Sequence, residues 1–393
     1  SSLGPCHFFT MSKQHLFQSP LGLIRKCYFT SRPSIQKRSF LSLIQKPRIL
    51  PDDAQHRSSL PSLQTALDHA VSMVRLHDPA GYLPGKLLAT NNLQVAYFAV
   101  RSFWIETGLR FGTTALVPPH TPPLEHLDWW QQGIENLYFH HHQQQEQQQS
   151  TNHLEHPTFQ LLSYLLQQQP LNHCHFDDIL KGRFRDIDMK QYPDLASLEE
   201  HAEWSCGSLM QLLLESDGYF ASTAATTTTD PAAASSVLAH RVAKLLGKAH
   251  GLTNALRTSI PVMSTTGKLI IPQDLCERYG VKSPRYLLSA LGQGDEECKQ
   301  ALRNAVRDIS HRALEHLQQA RELRGELLEL TKDPKDQHHI MGIFLPGLAS
   351  ETFLQRLEAH NYDLTDRNLR NVNWSERAKC SLRMIQAAYT NQY

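Results

Sequence analysis

The chain has 393 residues, 40% of them hydrophobic, and a formal net charge of +1. That length holds one large domain or two ordinary ones, and so balanced a charge excludes the basic footprint of a nucleic-acid-binding protein, so no nucleic acid is expected as a partner. Seven scattered cysteines, never spaced as C-x-x-C, argue against a disulfide framework and a structural zinc site, and no apolar run approaches the roughly 18 residues of a membrane-spanning helix.

Residues 1–51 contain no Asp or Glu but carry Lys13, Arg25, Lys26, Arg32, Lys37, Arg38, Lys46 and Arg48 among Ser, Thr and apolar residues. An acid-free, Arg- and Ser-rich segment of this kind reads as a mitochondrial transit peptide, because the membrane potential draws its cations towards the matrix. The expected leader covers 1–55, with Met11 as a candidate start, and a single domain is expected over 60–393.

That domain reads as helix throughout. Trp130, Ile134 and Leu137 fall at helical spacing, as do Phe159, Leu162, Leu165 and Leu166. Leu238, Val242, Leu245, Ala249, Leu252 and Leu256 form one apolar stripe, and Leu302, Val306, Ile309, Ala313, Leu317 and Ala320 form another. Two low-complexity tracts, 140–153 and 221–236, lack the apolar surface to order themselves and are expected to be disordered loops. The histidines of the first tract, with His156, His173, Cys174 and His175, invite a metal assignment. A flexible tract offers no preorganised ligand geometry, so neither a metal nor any other cofactor is expected. Near the C-terminus Phe353, Leu354 and Leu357 make a short apolar stripe, a candidate contact for a partner or a part of the core. Strand-like alternation is nearly absent, so the expected fold class is an all-α bundle of about ten helices.

Four motifs in series then carry a resemblance. "DPAGYLPGKLLATNNLQVAYFAVRSFWIE" opens the domain, and "LKGRFRDIDMKQYPDLASLEEHAEWSCGSLMQLLLE" places Asp186 four residues after Gly182, followed by Tyr192 and the pair Gly207–Ser208. "LGKAHGLTNALR" and "GKLIIPQDL" follow. Their order resembles the squalene/phytoene synthase family over most of the chain, which implies an isoprenoid-synthase-type helical bundle. The family's enzymes ionise an allylic diphosphate, and Mg²⁺ held by aspartate-rich helices neutralises the departing diphosphate. Here the only acids between Asp78 and Asp128 are Glu106 and Glu125, and 231–273 contains no acid at all. Thr258 and Val262 occupy the acidic places of the second motif. The chain is therefore expected not to be an enzyme.

The resemblance is nearer to one subgroup, the mitochondrial assembly factors of respiratory complex I. It rests on "VRSFWIE" in place of the first metal motif, on "LGKAHGLTNALRTSIP" with Gly251 where enzymes have Gln, and on "GKLIIPQDLCERYGV"; Trp104 departs from the Asn of the subgroup. Membership implies a protein on the matrix side of the inner mitochondrial membrane, peripherally attached, with complex I subunits or assembly intermediates as partners. The candidate ligand-binding residues are Arg101, Asp186, Asn254 and Arg257. They are read either as a retained polar pocket for an isoprenoid or lipid ligand, or as hydrogen bonds tying helices together. The alternative function is a divergent, active phytoene- or squalene-synthase-type prenyltransferase with Glu106, Asp186 and Asp188 as metal ligands, or an isoprenoid carrier.

Fusion of residues 1–55 to a fluorescent reporter should direct it to mitochondria in an uptake assay that depends on membrane potential. A reporter left in the cytosol would remove the leader from the account.

Overall fold

The structure is a computed structural model that describes residues 47, 60–88, 90–109, 121–142, 152–218, 231–331, 337, 340, 342, 344–370 and 374–390. All of the expected leader except residue 47 lies outside them. Among the described residues there is no strand, and fifteen α-helices occur rather than about ten. The excess comes from short segments whose ends are set by local chemistry. Gly280 (φ 74°) and Gly294 (φ 80°) close two helices in the left-handed conformation that residues with a Cβ disfavour.

The first half consists of α1 (Leu60–His77), α2 (Pro79–Leu87), α3 (Asn91–Gly108), α4 (Pro123–His142), α5 (Pro157–Gln168), α6 (His173–Asp188), α7 (Leu195–Ala202) and α8 (Ser208–Glu215). Side chains of Asp78, Thr90, Asn172 and Asp194 accept backbone N–H groups at the starts of α2, α3, α6 and α7, so each start is written into the sequence. The second half comprises α9 (Pro231–Thr266), α10 (Gln273–Tyr279), α11 (Pro284–Gln293), α12 (Glu296–Leu330), α13 (Pro346–Ala359), α14 (Arg367–Arg370) and α15 (Trp374–Thr390). The edges of both low-complexity tracts are helical rather than loops: 140–142 end α4, and 231–236, rich in Ala, begin α9. Residues 143–151 and 221–230 of the tracts lie outside the described residues.

The two long helices, α9 and α12, pack along each other. Their apolar stripes face inward as the spacing predicts, except that Leu246 is buried and Leu245 half-buried, a shift of one position along the α9 stripe. Trp130, Ile134, Leu137, Phe159, Leu162, Leu165 and Leu166 are all buried. The C-terminal stripe belongs to the core and not to a partner surface: Leu354 and Leu357 are fully buried on α13, and Phe353 lies beneath the Arg257 guanidinium at 4.7 Å. Its apolar area is already removed from water, so it has little left to offer a docking protein.

Between α7 and α8 the chain makes one π-helical turn, Glu203–Gly207, the kind of wide turn that often marks a functional region. Against it lies the middle of α9, where two glycines let the backbones touch. A Cβ on Gly247 would sit 2.3 Å from the Gly207 Cα, and one on Gly251 would sit 2.5 Å from the Ala202 Cβ. Gly251 is thus explained by packing, whatever the family's enzymes do with that position.

Gly247→Ala should destabilise the fold by about 1–3 kcal/mol or more in urea unfolding, because rigid backbone must move. Gly292→Ala, with nothing within 4 Å of the new Cβ, should be neutral or stabilising by up to about 1 kcal/mol. Equal effects at the two positions would show that the close approach is absent in solution.

Candidate functional site

Asp78 ends α1 and caps α2, accepting from the Gly81 N–H at 3.0 Å through Oδ1. Its other oxygen accepts from Arg101 Nε, whose side chain is fully buried on α3. A Cβ on Gly81 would overlap both Asp78 and Arg101, so this residue must be glycine for the pair to close. The Tyr97 hydroxyl donates to the Gly81 carbonyl at 2.8 Å, and its ring lies 5.3 Å from the Arg101 guanidinium. Burial works against the charged form of both partners. Each nonetheless stabilises the other's charge, so Asp78 is held below the ordinary carboxylate value and Arg101 above the ordinary guanidinium value.

From Arg101 the polar chain continues into α9 and α13. Arg101 Nη2 lies 3.5 Å from His250 Nε2, and His250 Nδ1 lies 2.9 Å from the Ser350 hydroxyl. A guanidinium can only donate, so Nε2 must accept, Nδ1 carries the proton and Ser350 receives it. Burial first, and then the Arg101 charge, push His250 down to about 3, so the imidazole is neutral at physiological pH. Two turns further along α9, Arg257 donates to Asn254 Oδ1 at 3.3 Å and to the Ala349 carbonyl at 2.9 Å. Arg257 thus ties α9 to α13, and Asn254 holds its guanidinium from within α9.

Asp186 stands at the end of α6. The Tyr192 hydroxyl donates to its Oδ1 at 3.1 Å, and His201 Nε2 lies 3.1 Å from the same oxygen. Partial burial raises its pKa, but the contact with His201 outweighs this and leaves it below the ordinary value. Between Asp186 and Arg101 lie two residues that the sequence reading did not assign to the site, Arg183 and Trp104. Arg183 Nη2 donates to the Trp104 carbonyl at 3.0 Å, and the Trp104 indole N–H donates to Ser205 on the π turn at 3.0 Å. Arg101 and Arg183 both lie against the Trp104 ring, at 5.8 and 5.2 Å. The Asp-Pro start of α2 was a local signal for Asp78 as a cap. No sequence signal couples Arg183 to Trp104.

The other acids proposed as substitute ligands do not join this cluster. Glu106 is buried on α3, receives the Thr158 hydroxyl at 2.6 Å, and lies 3.2 Å from His69 and 3.4 Å from His156. Thr158 N–H donates to His156 Nδ1, so the His156 proton is on Nε2 and points at Glu106, the wrong tautomer for metal ligation through that nitrogen. Asp188 is exposed. Nor do the side chains at the places that the resemblance assigns to metal motifs supply carboxylates for Mg²⁺, which takes hard oxygen ligands. Trp104 carries an indole with the Arg101 and Arg183 guanidiniums 5.8 and 5.2 Å from its ring, and Thr258 uses its hydroxyl on the Asn254 carbonyl of its own helix. Among the described residues no group of three or more His, Cys, Asp or Glu is arranged to hold a metal ion.

An all-helical bundle with this order of elements, closed around a polar cluster contributed by α3, α6, α9 and the π turn, is an isoprenoid-synthase-type domain. Solved structures share the fold. A dehydrosqualene synthase in complex with ligand superposes with a TM-score of 0.57, at 19% identity, covering 85% of this chain and 99% of that one. The squalene synthase of Alicyclobacillus acidocaldarius gives 0.55, at 14% identity, covering 77% of this chain and 97% of that one. The chain belongs to the squalene/phytoene synthase family, whose sequence pattern matches residues 75–378. Curated relatives include proteins named NADH dehydrogenase (ubiquinone) complex I, assembly factor 6, or its homologue. That of Drosophila melanogaster is 25% identical over 302 residues, 76% of this chain and 78% of the relative. That of Dictyostelium discoideum is 24% identical over 296 residues, 74% and 69% of the two chains. That of Homo sapiens is 24% identical over 307 residues, 78% of each.

The polar chain makes two predictions. Arg101→Met should strand the Asp78 carboxylate and cost about 3–5 kcal/mol in urea unfolding, and a loss under about 1 kcal/mol would show that the pair is solvated. His250, near 3 in the folded protein and near 6.5 when unfolded, takes up its proton preferentially in the unfolded state between those values. Stability should therefore fall as pH drops below 6.5, by up to about 1.4 kcal/mol per pH unit from this residue. His250→Asn keeps a donor for Ser350 and should flatten that slope, which urea titrations at pH 7.5, 6.5 and 5.5 can read.

Proposed function

We propose that the chain is a non-catalytic assembly factor of mitochondrial respiratory complex I, built on a prenyl-synthase fold. The observation that carries this reading is the shared name of its curated relatives across slime mould, fly and mammals, over about three-quarters of the chain. The site supports it from a different direction. Prenyl-diphosphate ionisation needs carboxylates that hold Mg²⁺ against the leaving group, and here Trp104, Thr258 and Val262 stand in those places.

The same reading places the protein in mitochondria, at the matrix side of the inner membrane, with complex I subunits or assembly intermediates as partners. Among the described residues no helix is long and apolar enough to cross a membrane, which suits peripheral attachment. The cluster around Arg101, Asp186, Asn254 and Arg257 is proposed as what is left of the family's ligand pocket.

Deletion of the gene in the source organism should lower assembled complex I on native gels while the other respiratory complexes persist, and the intact chain should restore it. Normal complex I in the deletion would overturn the assembly role. The purified chain should release no diphosphate from farnesyl or geranylgeranyl diphosphate with Mg²⁺. Release above background that is lost in Asp186→Asn would establish a prenyltransferase instead.

A further inference from the structure

We infer that the outward face of α15 docks on the surface of an anionic phospholipid bilayer. The inference rests on the peripheral-attachment reading above and names the face and the lipid chemistry that carry it.

Helix α15 (Trp374–Thr390) has two apolar arcs where a surface helix ordinarily has one. The inner arc, Met384, Ala387 and Ala388, is buried, and the helix packs on α2 and α13. The outer arc starts at Trp374 and recurs at Ala378, Leu382 and Ile385, in steps of four, four and three that keep to one side of a helix. Trp374 is 55% exposed and Leu382 44%, while Ala378 and Ile385 are half-buried. The inner arc already seats the helix, so packing does not account for the outer one. Two ion pairs to α13 hold the helix in place, Glu376 with Arg356 at 3.2 Å and Arg383 with Glu351 at 3.3 Å.

Charge decides what covers the outer arc. Arg377 borders it on one side and Lys379 and Arg383 on the other, all three exposed. Glu376, the one acid of the helix, is drawn to Arg356, and among the described residues Arg377 and Lys379 make no ion pair. A tryptophan and leucine stripe between cations suits a helix lying in a bilayer interface. The apolar side chains enter the headgroup boundary while the long stems of Arg and Lys keep their charges among the phosphates. Helix α4 makes the contrast. It also exposes Leu124 and Phe139, but Glu125, Asp128 and Glu135 are exposed between them, and an anionic surface repels those.

Two other occupants fit less well. A second copy across a two-fold axis would bring the same cations against themselves. A protein partner would need about 800 Å² from this side, whereas complete burial of a tryptophan covers roughly 250 Å². Trp374 and Leu382 are the only large apolar side chains that α15 exposes among the described residues.

The test is the fluorescence of the full chain mixed with vesicles of phosphatidylcholine, alone or with one-third phosphatidylglycerol, whose acyl chains are brominated near the headgroup. Bromine quenches a tryptophan only at close range. Trp104, Trp129, Trp130 and Trp204 are buried or half-buried, so binding through the basic residues of 1–51 leaves the signal unquenched. Quenching is expected with the anionic vesicles and should vanish in Trp374→Phe, which keeps the apolar face and removes only the reporter. Joint Arg377→Glu and Lys379→Glu substitution should weaken binding about tenfold or more, and Leu124→Ser on α4 should leave it unchanged. No quenching with anionic vesicles, equal quenching with neutral ones, quenching that persists in Trp374→Phe, or charge reversal without effect would overturn the proposal. A dimer in sedimentation that separates in Leu382→Asp would overturn it as well and give the face to a second copy. Complex I restored by the intact chain but not by Leu382→Asp, with no quenching by vesicles, would give it to a protein partner. Normal complex I in the deletion together with quenching as expected would remove the assembly role and keep this face; restored complex I without quenching would do the reverse.

Discussion

The buried pairing of Asp78 with Arg101 is the constraint on which the rest of the structure depends. A guanidinium that reaches no solvent has to be matched by a carboxylate, since leaving either charge alone costs several kcal/mol. Satisfying it dictates where α2 begins, why Gly81 has no side chain, and where the Tyr97 hydroxyl points. It also sets the tautomer of His250 and, through Ser350, the seat of α13 on α9. Residues separated by almost the whole described chain are joined by one run of hydrogen bonds.

Glu106, five residues along the same helix, organises the opposite side of α3. It gathers His69 from α1, His156 from the cap of α5 and Thr158 from α5 itself, and its backbone carbonyl lies 3.3 Å from His126 of α4. Burial first, partly opposed by Glu106, lowers His156 to about 4, so the cluster works with a neutral imidazole donating to a buried carboxylate. Helix α3 thus carries two polar hubs, one facing α9 and the other facing α1 and α5. A helix buried on nearly every side is ordinarily apolar all round. Here the polar groups of Glu106, Ser102 and Thr107 and the Nε and Nη2 atoms of Arg101 each meet a named neighbour, while Arg101 Nη1 is left without one.

The chemical consequence is a change of sign. The family's reaction places carboxylates around a cavity so that metal ions can meet an anionic substrate. In this chain the corresponding region is built from guanidiniums, an indole and a neutral imidazole, and its acids are engaged in ion pairs or exposed. A bundle of this kind keeps its shape through the packing of α9 against α12 and the glycine contacts at the π turn, and neither calls for a metal ligand.

The helical class and the apolar stripes of α9 and α12 were legible in the sequence, and Asp78, Thr90, Asn172 and Asp194 are cap residue types that the sequence analysis left unassigned. Such signals are local: a period of 3.6, or a cap two or three residues from its donor. The helical edges of the low-complexity tracts were missed because composition reports what a segment cannot bury and not what a neighbouring helix can extend into. The role of Asn254 and Arg257 was left open because spacing puts them on one face but does not say what that face meets. Arg101 lies 23 residues from Asp78, and Arg183 lies 79 residues from Trp104. No periodicity spans such intervals, so these partners are chosen only when the bundle closes, by which charged groups the packing has taken away from water.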